Sequence, residues 1–347
     1  MHHALIKKQA LTITCAVLLI LLSLVLFKIF YPRNYQVPAF KKRSNTQYWK
    51  LPDGSTIGYL LLQAKVIKQQ YPVIYLHGGP GGHITDRDIQ TFSLLADSGF
   101  AIYLYDQIGS GQSARLKNIS DYTVARHVED LNEIITQLKA DKVILIGQSW
   151  GSILAAMFAA AHPDKVEKII FTSPGPIFPM HRDLAKLQPP DSFHLRNPFY
   201  SNARGNKIAN NIRTNAMSLF ATSFNMKLAS DKEADGFITY LSYEVNKSTV
   251  CDTANILAMD AGSGFYASIM TFNSLIKVAD PRPVLKNFKA PVLVVKGQCD
   301  NQKWGFTNEY VSLFQHSRLV IIPGAGHFIP VEQQALYLQT IKQFLEK

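Results

Sequence analysis

Cysteine is scarce in this sequence, with only three among 347 residues. So small a number excludes the disulfide framework that holds many small secreted domains together. Cys15 lies in an apolar segment, which leaves Cys251 and Cys299 for the rest of the chain. These two could form a single bridge only if that part of the chain is exported.

Motifs for metals and dinucleotides are also missing. The sequence contains no His-Glu-x-x-His, no Cys-x-x-Cys and no acidic cluster. The Gly-Ser-Gly at residues 109–111 lacks the third glycine and the ribose-binding acid of a dinucleotide site. We therefore expect neither a metal nor another cofactor.

Acidic residues are absent from the first 50 positions, which carry much of the formal net charge of +11. The basic residues there are Lys7, Lys8, Lys28, Arg33, Lys41, Lys42, Arg43 and Lys50. Without these eight, 28 of the 36 basic residues remain against 25 acidic ones, a balance of +3. The body of the protein is therefore nearly neutral, and no basic stripe indicates a nucleic-acid partner.

An uncharged apolar run covers residues 10–27, and its 18 residues are long enough to cross a bilayer as a helix. We expect a single-pass membrane anchor within residues 1–34. A cleaved signal peptide is the alternative, although no small-x-small cleavage site follows. Orientation stays open, because positive-inside counting favours a cytoplasmic body whereas N-terminal anchors commonly hold exported domains.

The pentapeptide Gly-Gln-Ser-Trp-Gly at residues 147–151 has the Gly-x-Ser-x-Gly form of a nucleophile elbow. It follows the apolar run at 143–146 and precedes a segment typical of a helix. A serine at such a sharp strand-to-helix turn needs small residues two places either side. Ser149 is therefore the candidate nucleophile, and the N–H of Trp150 is a candidate oxyanion donor.

Three further segments support this interpretation. The apolar residues 73–76 lead into a glycine-rich loop at 77–82, which such hydrolases use as the second source of oxyanion donors. Two later apolar runs lead to Asp300 and His327. The order Ser149, Asp300, His327 is that of the α/β-hydrolase triad, with His327 as base and Asp300 as the group that orients it.

Four segments resemble motifs of the prolyl iminopeptidases, a family of the α/β-hydrolase superfamily. They are residues 77–82 (His-Gly-Gly-Pro-Gly-Gly), 106–113 (Asp-Gln-Ile-Gly-Ser-Gly-Gln-Ser), 147–152 (Gly-Gln-Ser-Trp-Gly-Ser) and 324–327 (Gly-Ala-Gly-His). The resemblance implies the same triad, with the N–H groups of Gly79 and Trp150 as oxyanion hole. Two positions depart from the family, since Gln148 replaces a glycine and Ile108 an arginine.

Alternating strand and helix signals predict a mostly parallel, doubly wound α/β sheet. The strand pattern stops after residue 174 for about a hundred residues, which predicts an inserted helical cap. We expect an anchor at 1–34, a hydrolase core at 35–175 and 284–347, and the cap at 176–283.

An aminopeptidase must hold a protonated α-amine, and two cap carboxylates are candidates for this role. Glu244 ends a Tyr-Leu-Ser-Tyr-Glu segment that resembles the family's Trp-x-x-Trp-Glu, and Asp260 lies where the family has a second acid. Either could instead be an ordinary helix-surface acid.

The sequence thus predicts a serine exopeptidase that releases an N-terminal residue, with proline preferred, from short peptides. Two alternatives stay open at this point. One is an esterase, lipase-like or amide hydrolase on the same fold, and the other is a receptor or scaffold without catalysis.

Overall fold

The computed structural model describes residues 2–67 and 69–347. Eight strands form one sheet: β1 (Gln47–Lys50), β2 (Thr56–Gln63), β3 (Val73–Leu76), β4 (Ala101–Tyr105), β5 (Val143–Gln148), β6 (Val166–Thr172), β7 (Val292–Gly297) and β8 (Ser317–Ile322). Their order in the sheet is β1-β2-β4-β3-β5-β6-β7-β8. β1 pairs antiparallel with β2, and β2 pairs antiparallel with β4. The six strands β3 to β8 are parallel to one another. The predicted mostly parallel α/β sheet is confirmed.

The helices are α1 (His2–Phe30), α2 (Asp86–Ala96), α3 (Val124–Gln137), α4 (Trp150–Ala161), α5 (Ala203–Ala209), α6 (Ile212–Phe224), α7 (Asp231–Asn246), α8 (Phe265–Leu275), α9 (Arg282–Leu285), α10 (Trp304–Leu313) and α11 (Ile329–Leu345). The helical pattern of the sequence predicts helices at 86–96, 122–138 and 152–161. α2 has the first of these ranges, and Thr85 and Asp88 form a capping box at its start. The predicted starts of α3 and α4 are each off by two residues.

Both faces of the sheet are buried, as expected for parallel strands covered by helices on each side. On β3, Ile74 and Leu76 join the core beneath α3 and α4. Their neighbours Val73 and Tyr75 point to the opposite face and pack with side chains of α2 and α11. This alternation leaves the carboxyl end of the strands as the edge where loop residues can meet.

Between β6 and β7 the described chain is built from helices α5 to α9 and short 3₁₀ turns, without a strand. α7 packs against α5 and α8, and α6 also packs against α8. This agrees with the predicted helical character of the insertion, whereas its bounds at 176 and 283 stay predictions.

α1 extends away from the rest of the chain. Residues Ile6–Phe30 are long and apolar enough to cross a bilayer, and none of the most apolar window is buried against the protein. The last turn of α1 approaches the body, where it contacts α6.

Candidate active site

Ser149 sits between β5 and α4 with φ of 54° and ψ of −114°. This is a left-handed backbone conformation that a serine rarely adopts, and it costs roughly 1–3 kcal/mol that the surroundings must offset. The flanking glycines explain how the turn closes. A Cβ on Gly147 would lie 2.4 Å from the carbonyl oxygen of Gly151, and a Cβ on Gly151 would lie 1.9 Å from that of Leu76.

The glycine-rich loop at 77–82 follows β3 and lies directly beside the serine. A Cβ built on Gly78 would be 3.4 Å from Ser149 Cβ and 2.3 Å from Gln148 Oε1. A side chain at position 78 would therefore be in ordinary contact with Ser149 but would have to displace the amide of Gln148. Gly79 has φ of 130°, and a Cβ there would meet the N of Gly82 at 2.5 Å.

The two expected oxyanion donors are free to bind a ligand. In the described part of the chain, no hydrogen bond uses the N–H of Gly79 or of Trp150. Trp150 is the first residue of α4, so its N–H has no partner within the helix, and the helix dipole favours negative charge there.

Gln107 links the two segments that carry these donors. Its side-chain Nε2 donates to the carbonyl of His77 at 3.0 Å, and its Oε1 accepts the indole N–H of Trp150 at 2.8 Å. Its backbone N–H also donates to His77 Nε2 at 3.0 Å. One buried amide thus fixes the start of the glycine loop relative to the start of α4.

These bonds assign the tautomer of His77. Because Nε2 accepts a hydrogen bond, the proton is on Nδ1, which lies 2.8 Å from the carbonyl of Gly78. Burial lowers the pKa of His77 to about 4, so the ring is neutral at neutral pH. The glycine loop is therefore held by an uncharged ring.

Asp300 and His327 follow β7 and β8, so they emerge at the same sheet edge as Ser149. His327 Nδ1 lies 2.7 Å from Asp300 Oδ1, and the aspartate is fully buried. Because Nδ1 donates to the carboxylate, Nε2 of the neutral ring is left as a hydrogen-bond acceptor. Within the described residues, neither Nε2 nor Ser149 Oγ has a hydrogen-bond partner.

Lys296, the penultimate residue of β7, is a site residue that the sequence analysis missed. Its Nζ lies 2.9 Å from Asp300 Oδ2 and donates to the carbonyl of Gln302. Burial alone would raise the pKa of Asp300, but the ammonium of Lys296 and the His327 hydrogen bond outweigh it and hold that pKa well below its ordinary value. The aspartate is therefore ionised throughout the neutral range.

The histidine loop is fixed by close packing and one carboxylate. A Cβ on Gly326 would lie 2.2 Å from the carbonyl of Thr249, just beyond α7. Glu332 accepts hydrogen bonds from the N–H groups of Gly326 and Cys251. The short turn that follows α7 thus rests directly on the loop that carries His327.

Cys251 and Cys299 form a disulfide, with Cα atoms 5.2 Å apart. It joins the segment after α7 to the residue next to Asp300. The sequence left this pairing open, and the structure settles it.

Glu244, near the end of α7, is buried but already paired. Its Oε2 lies 2.9 Å from both Lys247 Nζ and Arg204 Nε. The Arg204 side chain is 71% exposed, so this partner can move aside. An incoming ammonium would compete with these two cations for the carboxylate.

Asp260 lies close to the glycine loop, with its side chain 59% exposed. Its Oδ2 is 3.2 Å from Nε2 of His83, the residue that follows the loop. Burial would raise the pKa of Asp260, but the hydrogen bond and charge of His83, together with the charge of Arg43 and the N–H of Ala261, outweigh it and lower that pKa. The carboxylate is therefore ionised and open to solvent.

An arginine from a distant segment reaches the loop that carries Ile108. Arg43, in the linker after α1, donates to Asp106 Oδ2 at 2.7 Å and to the carbonyl of Ile84. The buried Asp106 also accepts the N–H groups of Ile84 and Gln112. The linker is thereby fastened to the loops around the serine.

Residues 71–334 match the family model described as alpha/beta hydrolase fold. The proline iminopeptidase of Heyndrickxia coagulans is 29% identical, over 79% of this chain and 90% of that protein. The proline iminopeptidase of Saccharolobus solfataricus is 26% identical, over 85% of this chain and 90% of that protein.

Among solved structures, a thermophilic esterase from Thermogutta terrifontis superposes with a TM-score of 0.60. It is 18% identical and covers 87% of this chain and 98% of its own. At that identity the likeness shows the fold alone, and this fold carries many chemistries.

Proposed function

Because the chain belongs to the alpha/beta hydrolase fold family, we propose that it is a serine exopeptidase that releases an N-terminal residue, preferably proline, from short peptides. The observation that carries the proposal is the strained backbone of Ser149, held between two glycines and beside the glycine-rich loop. Strain of this kind persists where the surroundings enforce it, which is typical of active sites. The similarity to proline iminopeptidases supports the choice of substrate.

In the proposed cycle, Ser149 Oγ attacks the carbonyl carbon of the first peptide bond while His327 Nε2 takes the hydroxyl proton. The oxyanion accepts hydrogen bonds from the N–H groups of Gly79 and Trp150. The C–N bond then breaks as His327 returns the proton to the leaving amine. Water, activated by the same ring, releases the acyl group and restores Ser149.

Asp300 keeps the His327 ring in the tautomer that presents Nε2 and stabilises the imidazolium formed during attack. Its low pKa ensures that it is charged when the ring gains a proton. These roles need no movement of Asp300, because it already accepts the Nδ1 proton at 2.7 Å.

For the substrate amine, the proposal assigns Asp260 and Glu244 as candidate acceptors. Asp260 is ionised and exposed beside the glycine loop, where an N-terminal residue bound to Ser149 would lie. Glu244 must exchange a pairing cation for the ammonium. Separate Asp260→Asn and Glu244→Gln variants distinguish them. The substitution that neutralises the true acceptor should raise KM for free-amine substrates more than the other does.

The decisive experiment compares proline-naphthylamide with its N-acetylated form on the full chain. We expect hydrolysis of the free amine and rejection of the blocked compound. Ser149→Ala should reduce turnover by about 10⁴-fold or more with the fold intact. Appreciable hydrolysis by Ser149→Ala would refute the nucleophile, whereas equal rates on both compounds would refute the exopeptidase.

An esterase is the second candidate, because the pairing of Glu244 with two cations leaves one fewer acceptor for an amine. It predicts rapid cleavage of short acyl esters and indifference to a free amine. Assays of the same two naphthylamides and of a p-nitrophenyl ester decide between the exopeptidase and the esterase.

We further propose that α1 anchors the protein in a membrane and that the catalytic body lies on the oxidising side. The Cys251–Cys299 disulfide supports a location of the catalytic body on the oxidising side, since disulfides are rare in reducing compartments. Protease treatment of sealed membrane vesicles whose outer surface is the oxidising side tests this location, with detergent-opened vesicles as the control. Digestion from outside is the expected result, and full protection would place the body in the cytoplasm.

A further inference from the structure

The outward face of α6 carries no ionisable group. Its only charged residue, Arg213, is buried and ion-paired with Glu233. The exposed polar residues of this helix are the uncharged Asn215 and Ser223. A helix face turned to water in a soluble domain is normally rich in charge.

Apolar side chains occupy much of that face and the turn after it. We define the cap patch as Ile212, Leu219, Phe220, Phe224 and Met226. Four of these side chains, all except Phe220, are between 45% and 59% exposed. A contiguous group of this kind indicates a contact surface rather than isolated exposed residues.

The cap patch adjoins the end of α1. The Phe30 ring meets the Phe220 ring edge-on with centroids 6.3 Å apart, and Phe220 in turn meets Phe224 at 5.6 Å. Arg213 donates to the carbonyl of Ile29, which is one of the free carbonyls at the helix end. The patch is therefore continuous with the apolar surface of the proposed span.

The position of this contact along α1 sets its depth in a bilayer. At about 1.5 Å per residue, the 18 residues 10–27 extend for about 27 Å, close to the ~30 Å hydrocarbon core. Ile29 and Phe30 then lie at the headgroup level. Any helix that touches them from the catalytic body lies at that level too.

The linker after α1 packs against the catalytic body and limits its movement relative to α1. The Tyr35 ring lies 5.5 Å from that of Phe237 and 6.5 Å from that of Tyr240, both on α7. Arg43 then ties the linker to Asp106 in the core. The span and the cap patch are thus held in a fixed relation.

We propose that the cap patch docks into the headgroup and upper acyl region of the phospholipid bilayer that α1 spans. This inference rests on the anchor proposed above. Apolar side chains bury themselves at this level, as in interfacial helices, and aromatic rings are favoured there. The exposed cations Lys28 and Arg33, which flank the contact, complement lipid phosphates.

The test uses the full chain reconstituted in phosphatidylcholine vesicles with a minor share of phosphatidylglycerol. An environment-sensitive fluorophore is attached to single cysteines without reductant, so that the disulfide stays intact. The label is placed at Cys15 of the wild type, or at Leu219→Cys or Phe224→Cys in a Cys15→Ser background. Leu94→Cys is the matched control, since Leu94 is 53% exposed but lies on α2 of the core.

We expect lipid-borne nitroxides to quench the labels at 15, 219 and 224 several-fold more strongly than the label at 94, which aqueous iodide should quench instead. A lipid-quenched label at 15 with water-exposed labels at 219 and 224 would overturn docking and leave the anchor. Water exposure at all positions would overturn both.

Labels at 219 and 224 that are shielded from both quenchers would mean that a second copy covers the patch. That result would also overturn docking to lipid. Thermal unfolding of each labelled variant, compared with wild type, verifies that the measurements report the folded protein.

Discussion

Lys296 Nζ lies 2.9 Å from Asp300 Oδ2, while Asp300 Oδ1 accepts the proton of His327 Nδ1 at 2.7 Å. One buried carboxylate therefore binds two partners, the ammonium of Lys296 and the ring that gains a proton in the proposed cycle. The ammonium keeps Asp300 ionised and fixes its second oxygen, so that the first is aimed at His327. This arrangement leads to the first prediction.

Lys296→Met should destabilise the fold and shift its acid sensitivity. Removing one partner of a buried pair costs about 3–5 kcal/mol, because the remaining charge is left uncompensated. In the wild type, the lowered pKa of Asp300 stabilises the fold above the ordinary carboxyl range, and this contribution is lost as pH falls through the lowered value. Without Lys296, burial should bring the pKa of Asp300 toward or above the ordinary carboxyl value, so the variant should lose less stability than wild type as pH falls below the ordinary carboxyl range.

Denaturant midpoints between about pH 2 and 8, with hydrolysis rates across the upper part of this range, measure both effects. The control is Lys289→Met, because Lys289 is exposed and bonds only Gln315 in the described chain. It should change stability by less than about 0.5 kcal/mol. Identical acid profiles for Lys296→Met and wild type would show that the ammonium does not govern Asp300.

Gln107→Leu should lower kcat more than it raises KM. The substitution leaves the carbonyl of His77 and the indole N–H of Trp150 without their buried partner, and each such loss costs about 1–3 kcal/mol. The oxyanion donors on either side of this bridge would then be less well aligned, and donors of this kind act mainly on the transition state. We expect a fall in kcat of about 10-fold to 100-fold.

The matched control is Gln137→Leu, in which an exposed glutamine on α3 is changed in the same way. Steady-state kinetics of both variants on proline-naphthylamide provide the comparison. An effect of Gln107→Leu confined to KM would indicate that this residue shapes substrate binding rather than the oxyanion site.

The motif at 147–151 and the order of Asp300 and His327 could be read from the sequence because each follows an apolar strand directly. Parallel strands bring their carboxyl ends to one edge, so residues far apart in the chain meet there. Lys296 could not be recognised in this way. The position of Lys296 near the end of an apolar strand does not indicate that the following loop brings Asp300 back beside it.

Arg43 shows a second limit of the sequence. It lies in a run of three basic residues, which in the sequence indicates only positive charge after the apolar span. In the structure its side chain reaches the buried Asp106. The contact between α1 and α6 was equally hidden, since helical periodicity predicts a helix but not its neighbour. The roles of Glu244 and Asp260 and the domain bounds stay predictions.

Breaking the disulfide should loosen the link between the cap and the Asp300 loop. The bridge closes a loop with a sequence separation of 48, and its removal should cost about 2–4 kcal/mol. We expect Cys251→Ser and dithiothreitol-treated wild type to unfold at similarly lowered denaturant concentrations. Cys15→Ser, the control, should match the untreated wild type.

Alkylation without reductant, followed by mass spectrometry, checks the premise of this prediction. Only Cys15 should be modified in the wild type. Three modified cysteines in protein purified without reductant would contradict the bridge and remove its support for an oxidising location.

Asp130→Asn should stabilise the protein at neutral and alkaline pH. Burial raises the pKa of Asp130 to about 7 despite its ion pair with Arg126, because its Oδ2 is buried without a partner in the described chain. A raised carboxyl pKa means that the folded state keeps a proton that the unfolded state has released. Its stabilising contribution is therefore complete below the ordinary carboxyl pKa and is lost as pH rises toward 7.

Asparagine stays neutral, so the variant should lack this decline. Since each unit of pKa shift corresponds to about 1.4 kcal/mol and the pKa rises by about three units, we expect the variant to exceed wild type by ~4 kcal/mol at pH 8 and to approach it near pH 4. Denaturant midpoints across this range measure the difference, with Asp141→Asn as an exposed control whose curve should run parallel to wild type. A constant offset between Asp130→Asn and wild type would mean that the carboxyl is ionised throughout, held so by Arg126 against the effect of burial.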